Sequence, residues 1–108
     1  MSQAPDSDEF MSRVETLLRF DQRQISPLAA GILVGIEMGI ADTRSFSRLL
    51  GIEHALVLRE VAELSGHDGL IAVTARQAKT LRTSLALTEV GVGLLRQTRQ
   101  LANEISSH

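Results

Sequence analysis

The chain contains no cysteine, no tryptophan and no tyrosine, and only two prolines. Without cysteine there can be no disulfide framework and no thiolate metal site, so nothing points to an oxidising compartment. Long apolar runs are also missing. The most hydrophobic stretch, "PLAAGILVGIEMGIA" (27–41), has 15 residues and contains Glu37, whereas a bilayer span needs about 20. The first nine residues carry Asp6, Asp8 and Glu9 and no basic residue, unlike the basic start of a secretory signal. A cytoplasmic protein with no membrane contact is expected. Catalytic signatures are scarce too. There is no Gly-rich phosphate loop and no nucleophile elbow, and the three histidines form no cluster, His67-Asp68 reading as a turn. No enzyme activity, cofactor or metal is expected.

What is present is 108 residues, 44% hydrophobic and 22% charged, an ordinary composition for one globular domain. The net charge of −2 hides an uneven distribution. Residues 1–42 hold three arginines against seven acids, a local −4, while residues 70–101 hold four arginines and a lysine against Glu89, a local +4. A polyanion responds to a local basic face more than to a basic total.

Periodicity and capping signals divide the chain. Asp6 with Glu9 three residues on resembles a capping box, followed by Phe10, Val14, Leu17 and Leu18 at helical spacing to about Phe20. Ser26-Pro27 marks a second helix start, and Gly31, Gly35 and Gly39 recur within that helix, predicting close approach to a neighbouring backbone. Asp42 or Thr43 caps a third, short helix ending at Gly51, and "EHALVLREVAEL" (53–64) forms a fourth whose core face is Val57, Val61 and Leu64. Alternation from Ile71 and again from Leu81 to Leu87, around "ARQAKT", predicts a two-stranded hairpin with a basic tip. A last helix starts after Thr88, with a stripe of Val90, Leu94, Leu101 and Ile105.

This order, mainly α with a small β-hairpin, and three local strings resemble the MarR-like winged helix-turn-helix transcriptional regulators. "FSRLLGI" (46–52) is similar to the family's first motif helix and turn. "GLI" (69–71) is similar to the entry to its wing, and "LALTEVGVGLL" (85–95) to its second wing strand running into the last helix. The resemblance implies a bacterial homodimer of single-domain chains spanning 1–108. Residues 6–22 and 89–106 would be dimerisation helices, and 26–87 would be the helix-turn-helix and wing. It further implies that the fourth helix enters the DNA major groove while the wing lies on the flanking backbone. Carried over by position, the DNA contacts are Arg44, Ser45, His54, Arg59, Arg76, Lys79 and Arg82. The dimer interface is expected at Phe10, Val14, Leu17, Leu94, Leu101 and Ile105, since two terminal apolar stripes strain the core surface of so short a chain.

The departures from the family fall on the reading surface. Where such regulators carry a polar run such as Ser-x-Ser-Thr-Val-Ser-Arg, this chain has "EHALVLR" over 53–59. In place of an Asp-x-Arg wing turn it has "ARQAKT". Two functions follow. One is regulation through double-stranded DNA, driven largely by phosphate contacts. The other is a protein-interaction module using the apolar Ala55, Leu56 and Leu58.

Overall fold

The computed structural model describes residues 6–106; the outermost residues of the expected 1–108 span lie outside that range. The order of elements is α1 (Ser7–Phe20), α2 (Pro27–Glu37), α3 (Thr43–Leu50), α4 (His54–Ser65), β1 (Ile71–Arg76), β2 (Thr83–Leu87) and α5 (Glu89–Ser106). Each start has a local cause. The Asp6 carboxylate accepts the amides of Asp8 and Glu9 at 2.9 and 3.1 Å. Ser26 Oγ accepts that of Ala29 at 3.0 Å ahead of Pro27. Thr88 Oγ1 accepts that of Gly91 at 3.1 Å while donating to the Gly69 carbonyl at 2.7 Å. The expected capping box is only half made, because the Glu9 carboxylate turns to Arg13 at 2.6 Å. Between α1 and α2, Asp21 accepts the amides of Arg23 and Ile25, both at 3.0 Å, which pins the connection.

α2 is the centre of the molecule: every residue from Ala29 to Gly35 is buried. Phe10, Val14 and Leu17 of α1 join the same core, as do Leu94 and Leu95 of α5, Phe46 of α3, and Val57, Val61 and Leu64 of α4. α1 and α5 pack on each other and on α2 within one chain. The two terminal stripes therefore already cover one another in part within a single chain. Phe10, Val14, Leu17 and Leu94 are enclosed by their own chain. Leu101 is half-buried, and Ile105, 61% exposed, stays open.

The polar part of the same junction was not visible in the sequence. Glu37, at the end of α2, accepts from Arg13 of α1 at 3.1 Å and pairs with Arg99 of α5 at 2.7 Å. One carboxylate thus bridges three helices, and the acid that interrupts the apolar run is a tie between elements.

The glycines differ from expectation. A side chain at Gly35 would run into the ring of Phe46, so what approaches there is an aromatic ring and not a backbone. Gly39 lies beyond α2 at φ 106°, a turn residue. The close backbone approach occurs instead at Gly91, where a Cβ would overlap the Leu70 carbonyl oxygen. That contact sets the rotation of α5. Gly91, Leu94, Leu95 and Thr98 face inward, and Val90 points to solvent although the sequence stripe included it.

β1 and β2 pair antiparallel, with Ile71 opposite Leu87 and Arg76 opposite Thr83. The register shifts between Val73 and Ala75, leaving Thr74 as an extra residue, so β1 does not keep the expected alternation and Val73 is exposed. β2 begins at Thr83 and not at Leu81, which adopts φ 59° in the tip turn. Among the described residues, no helix is long and apolar enough to cross a membrane.

Two glycines of α5 give a test of this packing. Gly91→Ala forces a methyl group against a backbone carbonyl and should destabilise the fold by about 1–3 kcal/mol. Gly93→Ala, two residues away with open space around it, should stabilise it by roughly 0.5–1 kcal/mol through helix propensity. Urea unfolding of both variants reads the opposite signs directly.

Candidate nucleic-acid interface

The candidate surface consists of α3, α4 and the β1–β2 hairpin, and it is held together along Ala41–Thr43. The Leu85 amide donates to the Ala41 carbonyl at 2.8 Å, and Asp42 forms a bridge to Ser84. The Thr83 amide donates to the buried Thr43 Oγ1 at 3.0 Å. A third short extended segment therefore runs beside β2. From there the chain enters α3, whose cap is Asp42: its carboxylate accepts the Ser45 amide at 2.9 Å and the Ser45 hydroxyl at 3.0 Å. Burial pushes the Asp42 carboxyl up, but the Ser45 hydrogen bonds and the charge of Arg82, 3.7 Å away, together bring it below its ordinary value. Ser45, expected at a phosphate, has both its amide and its hydroxyl occupied by Asp42.

Gly51, at φ 67°, turns the chain from α3 toward α4. The N-cap of α4 is Glu53, which makes no side-chain capping bond. His54, the first residue of α4, was expected to reach the groove; instead its Nε2 lies 2.7 Å from Thr43 Oγ1. Thr43 Oγ1 also accepts from Thr83, and a neutral ring protonated on Nδ1 lets the Thr43 hydroxyl donate to Nε2. Desolvation, then the nearby Arg44, hold the His54 pKa below 6.5, with Asp42 opposing. The helix N-terminus likewise disfavours a cation at this position. His54 thus joins α3, α4 and the wing from the inside.

With Val57, Val61 and Leu64 buried, the ridge of α4 opposite them consists of Ala55, Arg59 and Ala62, all exposed. Arg59 makes no ion pair with Glu63 or any other described acid within 4.0 Å, the i,i+4 pairing that its position allows. The two leucines flanking the core face part company. Leu56 is 42% exposed. Leu58 lines a groove of about 230 Å³ between α4 and the wing, with Ala62, Arg76 and the 50% exposed Leu81. Glu60 is turned aside to the Ser26 hydroxyl at 3.3 Å, while Glu53 and Glu63 remain exposed.

The wing tip closes on itself through Gln77 N to Arg82 O and Leu81 N to Gln77 O, both at 2.9 Å. Its cations fall into two groups. Arg76 and Lys79 are exposed and make no ion pair among the described residues. Arg82 pairs with Asp42, and Arg44 reaches from α3 to donate to the Thr80 carbonyl at 2.7 Å. Of the seven residues expected at DNA, Arg59, Arg76 and Lys79 form no ion pair among the described residues, Arg44 and Arg82 tether the wing, and the half-buried Ser45 and His54 are hydrogen-bonded to Asp42 and Thr43. No group of three or more His, Cys, Asp or Glu among the described residues is placed to hold a metal ion.

No protein-family model matches the chain, and no curated protein does. Solved structures do. The adhesin competence repressor AdcR of Streptococcus pyogenes superposes with a TM-score of 0.59 at 19% identity, over 93% of this chain and 75% of that one. A variant of ZitR from Lactococcus lactis gives 0.57 at 16% identity, over 94% and 77%. The fold is a winged helix. In winged-helix terms α3 and α4 are the helix-turn-helix and the β1–β2 hairpin is the wing, as the element order predicted.

The His54 junction has a pH signature. Since its folded pKa lies below 6.5, the unfolded chain binds the proton more tightly. The stability that neutral His54 confers is complete above that pH and is lost as pH falls through 6.5 toward the folded value. The contribution of ionised Asp42 is complete above 3.8 and is lost separately as pH falls below that value. Urea midpoints between neutral and mildly acidic pH should fall for the wild type and fall less for His54→Gln.

Proposed function

We propose that this protein is a DNA-binding transcriptional regulator of the MarR-like kind, a cytoplasmic homodimer that holds double-stranded DNA mainly through phosphate contacts. The observation that carries this reading is the free Arg59 on the outward ridge of α4 beside a protruding wing with free Arg76 and Lys79. Folding gives no reason for unpaired cations at a hairpin tip, whereas a polyanion does. The winged-helix fold supports the reading by analogy, and one structural neighbour is named a repressor. Arg44 and Arg82 would act chiefly by fixing the wing angle, each with donors left over for a phosphate. Exposed Glu53 and Glu63 would weaken the complex, leaving modest affinity with steep salt dependence.

The dimer would form at the α1–α5 end. Leu101 and Ile105 of α5, with the exposed Met11 of α1, offer the apolar surface that the intramolecular core leaves open. A two-fold pair of wings would then meet successive turns of one duplex.

A protein-docking module using Ala55, Leu56 and Leu58 is the second reading, favoured by the exposure of Leu56 beside that of Leu49 and Leu81. Leu58 would contribute only from within the wing groove.

Titration of mixed-sequence duplexes at low salt tests the first reading, and absence of binding removes it. Arg76→Ala with Lys79→Ala should weaken binding to all sequences alike. The slope of log affinity against log salt should flatten by about 0.9 for each phosphate no longer neutralised. Sedimentation tests the dimer separately: Leu101→Asp with Ile105→Asp should give a folded monomer, because neither side chain belongs to the buried core. A monomeric wild type would refute it.

A further inference from the structure

The major groove offers three kinds of chemistry: acceptors, donors and the thymine 5-methyl group. The face that α4 turns outward answers chiefly two of them, its acceptors being confined to the exposed carboxylates of Glu53 and Glu63 at its two ends. Ala55, Leu56 and Ala62 present methyl and methylene surface, and Arg59 alone presents hydrogen-bond donors. At the groove-entering end His54 is occupied by Thr43, and the exposed Glu53 offers only a carboxylate. Seated on bare base edges, an apolar ridge would strip water from donors and acceptors and return nothing, a cost with no compensation. Seated on thymine methyls, it buries apolar surface against apolar surface.

Resting on the DNA-binding reading above, we propose that α4 selects a major groove lined with 5-methylpyrimidines around a single guanine. Arg59 takes the guanine O6 and N7, and Ala55, Leu56 and Ala62 pack on neighbouring thymine methyls. The unpaired Arg76 and Lys79 of the neighbouring wing, with Arg59, favour nucleic acid over a protein here, although the exposed Glu53 and Glu63 oppose it. Ala62 shares its groove with Arg76, so the apolar face is bordered by a free cation on the wing side. This is specificity by methyl contact, in place of the hydroxyl and amide contacts that a polar recognition helix makes.

Replacing thymidine by deoxyuridine removes the methyl and leaves the pairing edge and phosphates unchanged. The test is selection and titration of the full chain on a randomised duplex library, prepared once with thymidine and once with deoxyuridine, at low salt. The thymidine library should be held about fourfold more tightly per contacted methyl. Its enriched sequences should place one G·C pair among thymines. Leu56→Ser, at an exposed position, should bring the two libraries toward equal affinity with the unfolding midpoint unchanged. Arg59→Ala should lose about tenfold or more of the guanine preference. Equal binding of the two libraries by the wild type overturns methyl reading and leaves DNA binding standing. Failure to hold either library overturns DNA binding itself, and the apolar ridge then belongs to a protein partner.

Discussion

The wing, α3 and the start of α4 are joined to one another by hydrogen bonds along three residues, Ala41 to Thr43. Ala41 lends its carbonyl to β2, Asp42 caps α3 while facing Arg82, and the Thr43 hydroxyl joins a strand amide to the first imidazole of α4. A two-stranded hairpin is marginal by itself in water. Here it gains a third extended segment and a fixed angle to the recognition helix. The same bonds decide which polar groups stay free. Arg44, Ser45, His54 and Arg82 are engaged by the scaffold, whereas Arg59, Arg76 and Lys79 form no ion pair among the described residues.

α2 links this surface to the opposite end of the molecule. Its first turn sits beside α4 through the contact of Ser26 with Glu60, and its last residue, Glu37, holds Arg13 and Arg99. A helix buried along most of its length, with polar ties at both ends, behaves as a beam. Close packing against Phe46 at Gly35 and the seating of α5 over Leu70 at Gly91 leave little room for sliding.

The element order was legible because the signals that set it are local. Asp6, Ser26, Asp42 and Thr88 each cap a helix within three residues, and the glycine at 51 stops one. Long-range pairing was not legible. Nothing near Glu37 in the chain announces Arg13 and Arg99, and nothing near His54 shows that Thr43, itself tied to Thr83, will occupy it. Amphipathic stripes likewise tell which faces are buried but not against what. The stripe of α1 reads the same whether α5 of its own chain or a second copy covers it, and the former is what the fold provides. The hairpin was readable as a period of two, while the bulge at Thr74 and the left-handed Leu81 depend on strand register and were not.

One detail bears on how such a wing could diversify. Arg44 grips the main-chain oxygen of Thr80 and not a side chain, so the anchor is indifferent to which amino acid occupies that place. The turn itself is held by the Thr80 hydroxyl, which donates to Gln77 and accepts the Arg82 amide, and by the left-handed Leu81. Ala78 and Lys79 take no part in these bonds, so substitutions at those two places would alter the charge of the tip and spare the architecture that aims it.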